Sequence, residues 1–260
     1  MNTRNQGTGF FWYLGTAMVF FILIVILVSG VYSSPVFSGR GTENQPYRIE
    51  KEEDLLLLSR AFLHEKQQYY DAYYLLTRDL DLNQLENVME KNGWIPIGNE
   101  EIHFNGFFDG DGKVIKNIHV LGNYAHSGLF GIIGKTGRVT NVILTEVFIE
   151  PREGSAITAG MIAGSNHGKI ENVQVQGKMI SKTCCVGGMV GVNEGTISDG
   201  LATVKLIVDD ELGTMIGGFV GRNSSQGFIE NSNMEVVIKG DQNLAGAVNQ
   251  FAGKNEGKIR

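Results

Sequence analysis

From Ile102 to the end of the chain, apolar and polar positions alternate in short runs, and the runs repeat. Within 160–177 the chain reads M-I-A-G, turns at Asn166-His167-Gly168, then continues K-I-E-N-V-Q-V-Q-G. Val173 and Val175 share one side of a strand there and Gln174 and Gln176 the other. Ile170 has the opposite parity to Val173, so an inward setting for both requires a bend at Asn172. The same words return at 127–141 (SGLFGIIGKTGRVTN), 159–172 (AGMIAGSNHGKIEN), 186–198 (VGGMVGVNEGTIS), 216–231 (IGGFVGRNSSQGFIEN) and 251–260 (FAGKNEGKIR). A weaker copy at 104–118 (FNGFFDGDGKVIKNI) shares the second half. Aligned on one aliphatic residue, the copies place Ile115, Val139, Ile170, Ile197, Ile229 and Ile259 at spacings of 24, 31, 27, 32 and 30 residues. A period in that range predicts a solenoid, because one such unit cannot bury its own apolar face and must stack on neighbours. Several short strands per unit predict parallel stacking, about 4.8 Å per winding.

Upstream the pattern changes. Residues 10–32, FFWYLGTAMVFFILIVILVSGVY, carry no charge, with aromatics at 10–13 and Tyr32 at the two ends. That length spans a bilayer, and interfacial aromatics suit its ends. Arg4 precedes the span with no acid beside it, which favours an internal N-terminus. The prediction is a tail at 1–9 in the cytoplasm and an uncleaved single-pass anchor at 10–32, with the rest extracellular. Small residues at Ser29, Gly30, Ser33 and Ser34 leave a cleaved, secreted form open. Residues 33–45 form a polar linker, and 46–103 a region that caps the solenoid. Within it, the run of leucines in Glu52–Lys66, with acids at its start and a lysine at its end, predicts a helix that could cover the open end of a stacked core. Tyr69–Leu82 predicts a strand, Trp94–Gly98 a short strand or turn, and Gln84–Gly93 a polar excursion with a short helix.

Composition narrows the partners. There are 35 glycines and only 4 prolines, with no third-residue period, so collagen is excluded. The glycines gather at the repeat turns: Gly128, Gly131, Gly160, Gly164, Gly187, Gly188, Gly191, Gly217, Gly218, Gly221 and Gly253. The pairs 187–188 and 217–218 are expected to turn the chain tightly, or to adopt positive φ, at a corner where a Cβ would clash. At the bend position the copies carry Asn117, Asn141, Asn172, Asp199 and Asn231, read as a structural ladder along the stack. A net charge of −6 argues against nucleic acid, which needs clustered positive charge. Cys184 and Cys185 are adjacent, so strand geometry sends one inward and one outward and makes a bond between them unfavourable.

These residues resemble the GLUG-motif repeats of bacterial cell-surface proteins, including the non-catalytic region of immunoglobulin A protease-type peptidases. The motif words are Gly128-Leu129-Phe130-Gly131, Gly160-Met161-Ile162-Ala163-Gly164, Gly188-Met189-Val190-Gly191 and Gly218-Phe219-Val220-Gly221. The stretches 41–49 (GTENQPYRI), Leu76–Leu82, Trp94–Gly98 and Phe104–Asn117 are similar to what precedes such repeats. The resemblance covers about residues 39–260 and implies a right-handed parallel β-helix, at 104–260, exposed at the cell surface. The last copy departs from the pattern, with Val248-Asn249-Gln250 where glycines are expected, and no catalytic module follows in this sequence. An open final coil would invite self-association.

Candidate chemistry is sparse. His64-Glu65 begins a zinc-protease motif but has no second histidine at helical spacing. Asp109-Gly110-Asp111-Gly112 lacks the glutamate of a calcium loop and reads as a tight turn. Asp199, Asp209, Asp210, Glu211 and Glu230 are the carboxylates that a polysaccharide-processing site could draw on, but no paired arrangement repeats across coils. No catalytic, metal or cofactor-binding residue is therefore assigned. The expected function is a non-enzymatic display module for adhesion or ligand binding, its partner a glycan or a host or surface protein. A structural spacer or a fragment of a larger surface protein stands beside it, with an enzyme ranked last. Loops near 121–127, 150–158, 178–185, 208–215 and 239–245 vary while the core words stay fixed, and are the expected binding face.

Overall fold

A computed structural model of the chain describes residues 37–85, 93–150, 158–181, 185–208, 215–239 and 251–260. The anchor expected at 10–32 lies outside the described residues; among those described, no helix is long and apolar enough to cross a membrane. Phe37–Arg260 form one compact unit, a parallel β-solenoid with one α-helix.

Each winding visits four faces. Face I stacks eight strands among the described residues, from Tyr47–Ile49 and Tyr73–Leu76 through Phe107–Asp109 and Arg138–Thr140 to Lys258–Ile259. Face II carries Leu80–Asp81, Val114–Lys116, Ile143–Ile149, Gln174–Ser181, Leu201–Val208 and Asn233–Lys239. Face III holds the short strands His126–Ser127, Thr158–Ala159, Cys185–Gly187 and Met215–Gly217. Face IV holds Phe130–Ile133, Ala163–Asn166, Val190–Asn193, Val220–Asn223 and Ala252–Asn255.

The repeat aliphatics stack in register on face I, as Val139, Ile170, Ile197, Ile229 and Ile259, and all but the last are fully buried. Ile115 does not belong to this column. Its place is taken by Phe108, and Ile115 stacks with Leu80, Leu144 and Val175 on face II. Successive corners of that winding both use turn-forming Asp, Gly and Asn around an aliphatic residue, so the local words fit either face.

Asn117 is displaced for the same reason. Asn141, Asn172, Asp199 and Asn231 occupy the corner from face I to face II with φ of 55°, 52°, 54° and 49°. Asn117 (φ 63°) sits one face later, where its amide donates to Asp81 at 2.6 Å. In the true corner column Asn172 donates to Asn141 at 2.8 Å, and Asn141 to Asp109 at 2.9 Å. Asp109–Gly112 supplies the corner for its own winding, with Asp111 and Gly112 at positive φ.

The paired glycines sit where an added Cβ would clash, as expected, but without positive φ. Among the described residues positive φ at glycine occurs at Gly39, Gly41, Gly93, Gly98 and Gly112, not at 187–188 or 217–218. Their role is close approach. A Cβ at Gly160, Gly187 or Gly217 would collide with the carbonyl oxygen of Ala163, Val190 or Val220, where the chain passes from face III to face IV; at Gly128 it would meet the oxygens of Gly160 and Phe130. At Gly188 it would strike the Gly218 carbonyl and the Val204 side chain, and at Gly218 the side chains of Met234 and Val236. Gly164, Gly191, Gly221 and Gly253 lie against face III of the preceding winding, and Gly131 against the Gly98 carbonyl.

A second ladder is buried at the corner from face IV to face I. Asn166, Asn193 and Asn223 are fully inaccessible, and side-chain amides donate up the stack at 2.8, 2.9 and 2.9 Å, ending on Asn255. The carbonyl oxygens of Asn166 and Asn255 also accept the backbone N–H two residues on, so buried amides find partners in both directions.

The helix runs Glu52–Leu63, ending before the expected Lys66 because Glu65 turns the chain at φ 53°. Asp54 caps it, accepting the N–H groups of Glu50 and Lys51. It links the first two registered strands of face I and lays Leu55, Leu58 and Phe62 into the core, Phe62 beside Phe104. Tyr69–Leu82 is not one strand: Tyr73–Leu76 and Leu80–Asp81 lie on faces I and II, divided by a corner where Thr77 N–H bonds Ile49. Of the excursion at Gln84–Gly93, a 3-10 turn covers Leu82–Leu85 and 86–92 lie outside the described residues.

Candidate functional site

Face II differs from the others in width. Its four long strands have 7, 8, 8 and 7 residues, whereas faces III and IV use strands of 2 to 4. Alternation sends Leu144, Val175, Met179, Val204 and Leu206 inward, where all are buried. The outward residues line up in lanes along the stack. One lane is Gln176, Thr203 and Glu235. The next is Phe148, Lys178, Lys205 and Val237, and the next Ile180, Ile207 and Lys239. A groove of about 990 Å³ runs over these lanes. Its first strand carries a bulge at Thr145-Glu146, with Glu146 at φ 55°, which shifts the register between Leu144 and Val147.

The electrostatics of this groove are unusual for the molecule. On the neighbouring faces several lysines and arginines meet carboxylates: Arg138 and Lys169 share Glu171, and Arg222 and Lys254 share Glu256; on face II Lys116 meets Asp81 at 3.1 Å. Lys178 and Lys205 are registered directly opposite one another, and among the described residues neither they nor Lys239 reach a carboxylate within ion-pair distance. Lys178 instead lies 4.9 Å from the centroid of the Phe148 ring. Val237, registered beside Lys205, is 55% exposed, so apolar surface flanks the ammonium groups.

A second cleft, about 430 Å³, lies between the helix end at Phe62-Leu63 and the segment Ile95–Ile102, with Tyr124 and His126 on its wall. His126 meets the Thr158 hydroxyl at 2.8 Å and Glu100 at 3.5 Å. Nearby, the rings of His103 and His167 stack at 5.8 Å, and His167 meets Glu194 at 3.1 Å. Burial holds the pKa of His103 and of His126 below the ordinary value; the neighbouring histidines push the same way, and Glu100 opposes at His126. Among the described residues no three His, Cys, Asp or Glu side chains are grouped to hold a metal.

The residues singled out for chemistry stand apart. His64 follows the helix end and Glu65 turns the chain. Asp199 and Glu230 meet only through the backbone, Asp199 N–H to Glu230 oxygen at 3.2 Å, while Asp209, Asp210 and Glu211 lie outside the described residues. Cys185 is buried on face III, and Cys184 lies outside. Most of the variable loops do too, at 151–157, 182–184, 209–214 and 240–250. The loop expected from 178 is strand through Ser181, because alternation continues to the end of that run. The groove lysines escape a reading of single repeats. Their signal is the lysine at matching parity in QVQGKMI and LATVKLI.

A comparison with protein-family models finds no match. The chain is 33% identical over 222 residues to a protein of Evansella cellulosilytica provisionally named a Gly-rich membrane protein, covering 81% of this chain and 24% of that one. It is 28% identical over 171 residues to Halomucin of Haloquadratum walsbyi, covering 64% of this chain and 2% of the relative. The chain thus spans about a quarter or less of these relatives. Among solved structures it is similar to a protein of Bacteroides ovatus provisionally assigned as an immunoglobulin A1 protease, with TM-score 0.60 and 22% identity. That match covers 86% of this chain and 67% of the other, and it concerns the fold.

Proposed function

We propose that the chain is a membrane-tethered extracellular display module that binds a ligand without catalysing a reaction. In this reading residues 1–9 are a cytoplasmic tail, 10–32 a signal anchor, 33–45 a linker, 46–103 a cap, and 104–260 a right-handed parallel β-helix of GLUG type. The carrying observation is the pair of opposed lysines: among the described residues Arg138, Lys169, Arg222 and Lys254 on faces I and IV meet carboxylates, whereas Lys178 and Lys205 on face II meet none, beside a groove with exposed apolar surface. The printed description of the Evansella relative supports the membrane location.

Two measurements test this. Protease applied to intact cells should remove the part beyond residue 33 and spare the anchor; full protection would reverse the topology. A screen of glycans and surface proteins against purified 33–260 should return a ligand. Clear self-association with no ligand would favour a structural spacer, and cleavage of a sugar would favour an enzyme.

A further inference from the structure

We infer that the face II groove binds an anionic polysaccharide laid along the solenoid axis, a specification that rests on reading the chain as a display module. Lys178 and Lys205 occupy directly opposed positions on adjacent strands. Like charges so placed repel, and the arrangement weakens the free protein. Acidic side chains answer Arg138, Lys169, Arg222 and Lys254 on the neighbouring faces, yet among the described residues none reaches this pair. An anion from outside the molecule relieves the repulsion.

The shape and lining of the groove select the class of anion. Adjacent lysines of the lane are one winding apart, about 4.8 Å, close to the length of one sugar residue in an extended chain. A polymer with an acidic group on each unit therefore sets two successive groups against Lys178 and Lys205, with Phe148 and Val237 at the levels on either side. Thr203 and Gln176 on one side offer hydroxyl and amide groups to sugar hydroxyls. Phe148 and Val237 offer apolar surface to the ring faces. A nucleic acid fits less well, because its backbone needs a long basic stripe, whereas the lane holds lysines on two windings only, with Glu146 and Glu235 beside them.

The test uses the full chain in uncharged detergent micelles with polygalacturonate as probe and neutral dextran as control. Wild-type protein should bind polygalacturonate, more weakly as salt rises, and not dextran. K205E should weaken binding about tenfold or more, and in the absence of polymer should raise the melting temperature by relieving the repulsion. K178Q guards against a repacking artefact and should weaken binding with the fold intact, while K169Q on face I should leave affinity unchanged. Equal binding by K205E and wild type, equal binding of dextran, or no binding of polygalacturonate by folded wild type would overturn the inference. In those cases protease accessibility on intact cells still reports on the display module separately.

Discussion

At Asn172 the backbone takes φ 52°, a region that costs most L-residues about 1–2 kcal/mol and that asparagine and glycine enter most easily. Its side chain also donates to Asn141. Substituting Gly should therefore change stability little, whereas Val should lose about 1–2 kcal/mol, read as a lower denaturant midpoint at unchanged slope. The buried ladder is less forgiving. Asn193→Ala leaves the Asn166 donor and the Asn223 acceptor side without their rung, and a loss of about 2–4 kcal/mol is expected on chemical denaturation. The corner column is legible in the sequence, where successive copies carry Asn141, Asn172, Asp199 and Asn231; the buried column of Asn166, Asn193, Asn223 and Asn255, with Ile133 below it, emerges from the register between windings. Their division into an exposed corner and a buried one is not legible there, since burial depends on which way the next winding turns. Asn117 and Ile115 show the limit most clearly: the 24-residue spacing before Val139, shorter than the rest, was the sign that they belong to another face.

Elements inherit these constraints. The four faces meet tightly at the III–IV corner, where glycine is required for space and not for φ. Gly188→Val would drive a branched side chain into the Gly218 carbonyl and Val204, so the variant should fail to accumulate in folded form or melt well below wild type; an unchanged thermal transition would refute the packing account. The cluster around the second cleft adds a pH dependence. His103 and His126 are held below the ordinary value of 6.5, so just below that pH the unfolded chain binds more protons than the folded one. Stability should be full above about pH 6.5 and fall as pH drops toward the folded values. Asp81 and Glu256 titrate lower still, and their contribution is lost only in stronger acid. Melting temperatures across that range should fall on acidification, and a His103→Gln, His126→Gln double variant should flatten the fall. The helix could be anticipated from its leucines and flanking charges; the corner splitting Tyr69–Leu82 could not, because Thr77-Arg78-Asp79 carries neither Gly nor Asn.

For the whole molecule, each winding touches only the windings above and below, so a lesion in one copy should be felt within its neighbours. The lysine lane belongs to this scale. Parity along one strand says that Lys178 points outward, but only the register between windings brings it opposite Lys205. That register depends on intervening segments of unequal length, which a single copy does not reveal. Those segments have a common address. Residues 151–157, 182–184, 209–214 and 240–250 each leave a face II strand and return to face III or IV. The corner from face IV to face I varies only between the short step from Asn166 to Lys169 and the longer step from Asn223 to Phe228, so the larger differences in length between windings fall after face II. Lengthening a connection there costs only about 0.6 kcal/mol per doubling, so a lineage can rewrite what it shows its surroundings, one storey at a time, on a scaffold that never has to be reinvented.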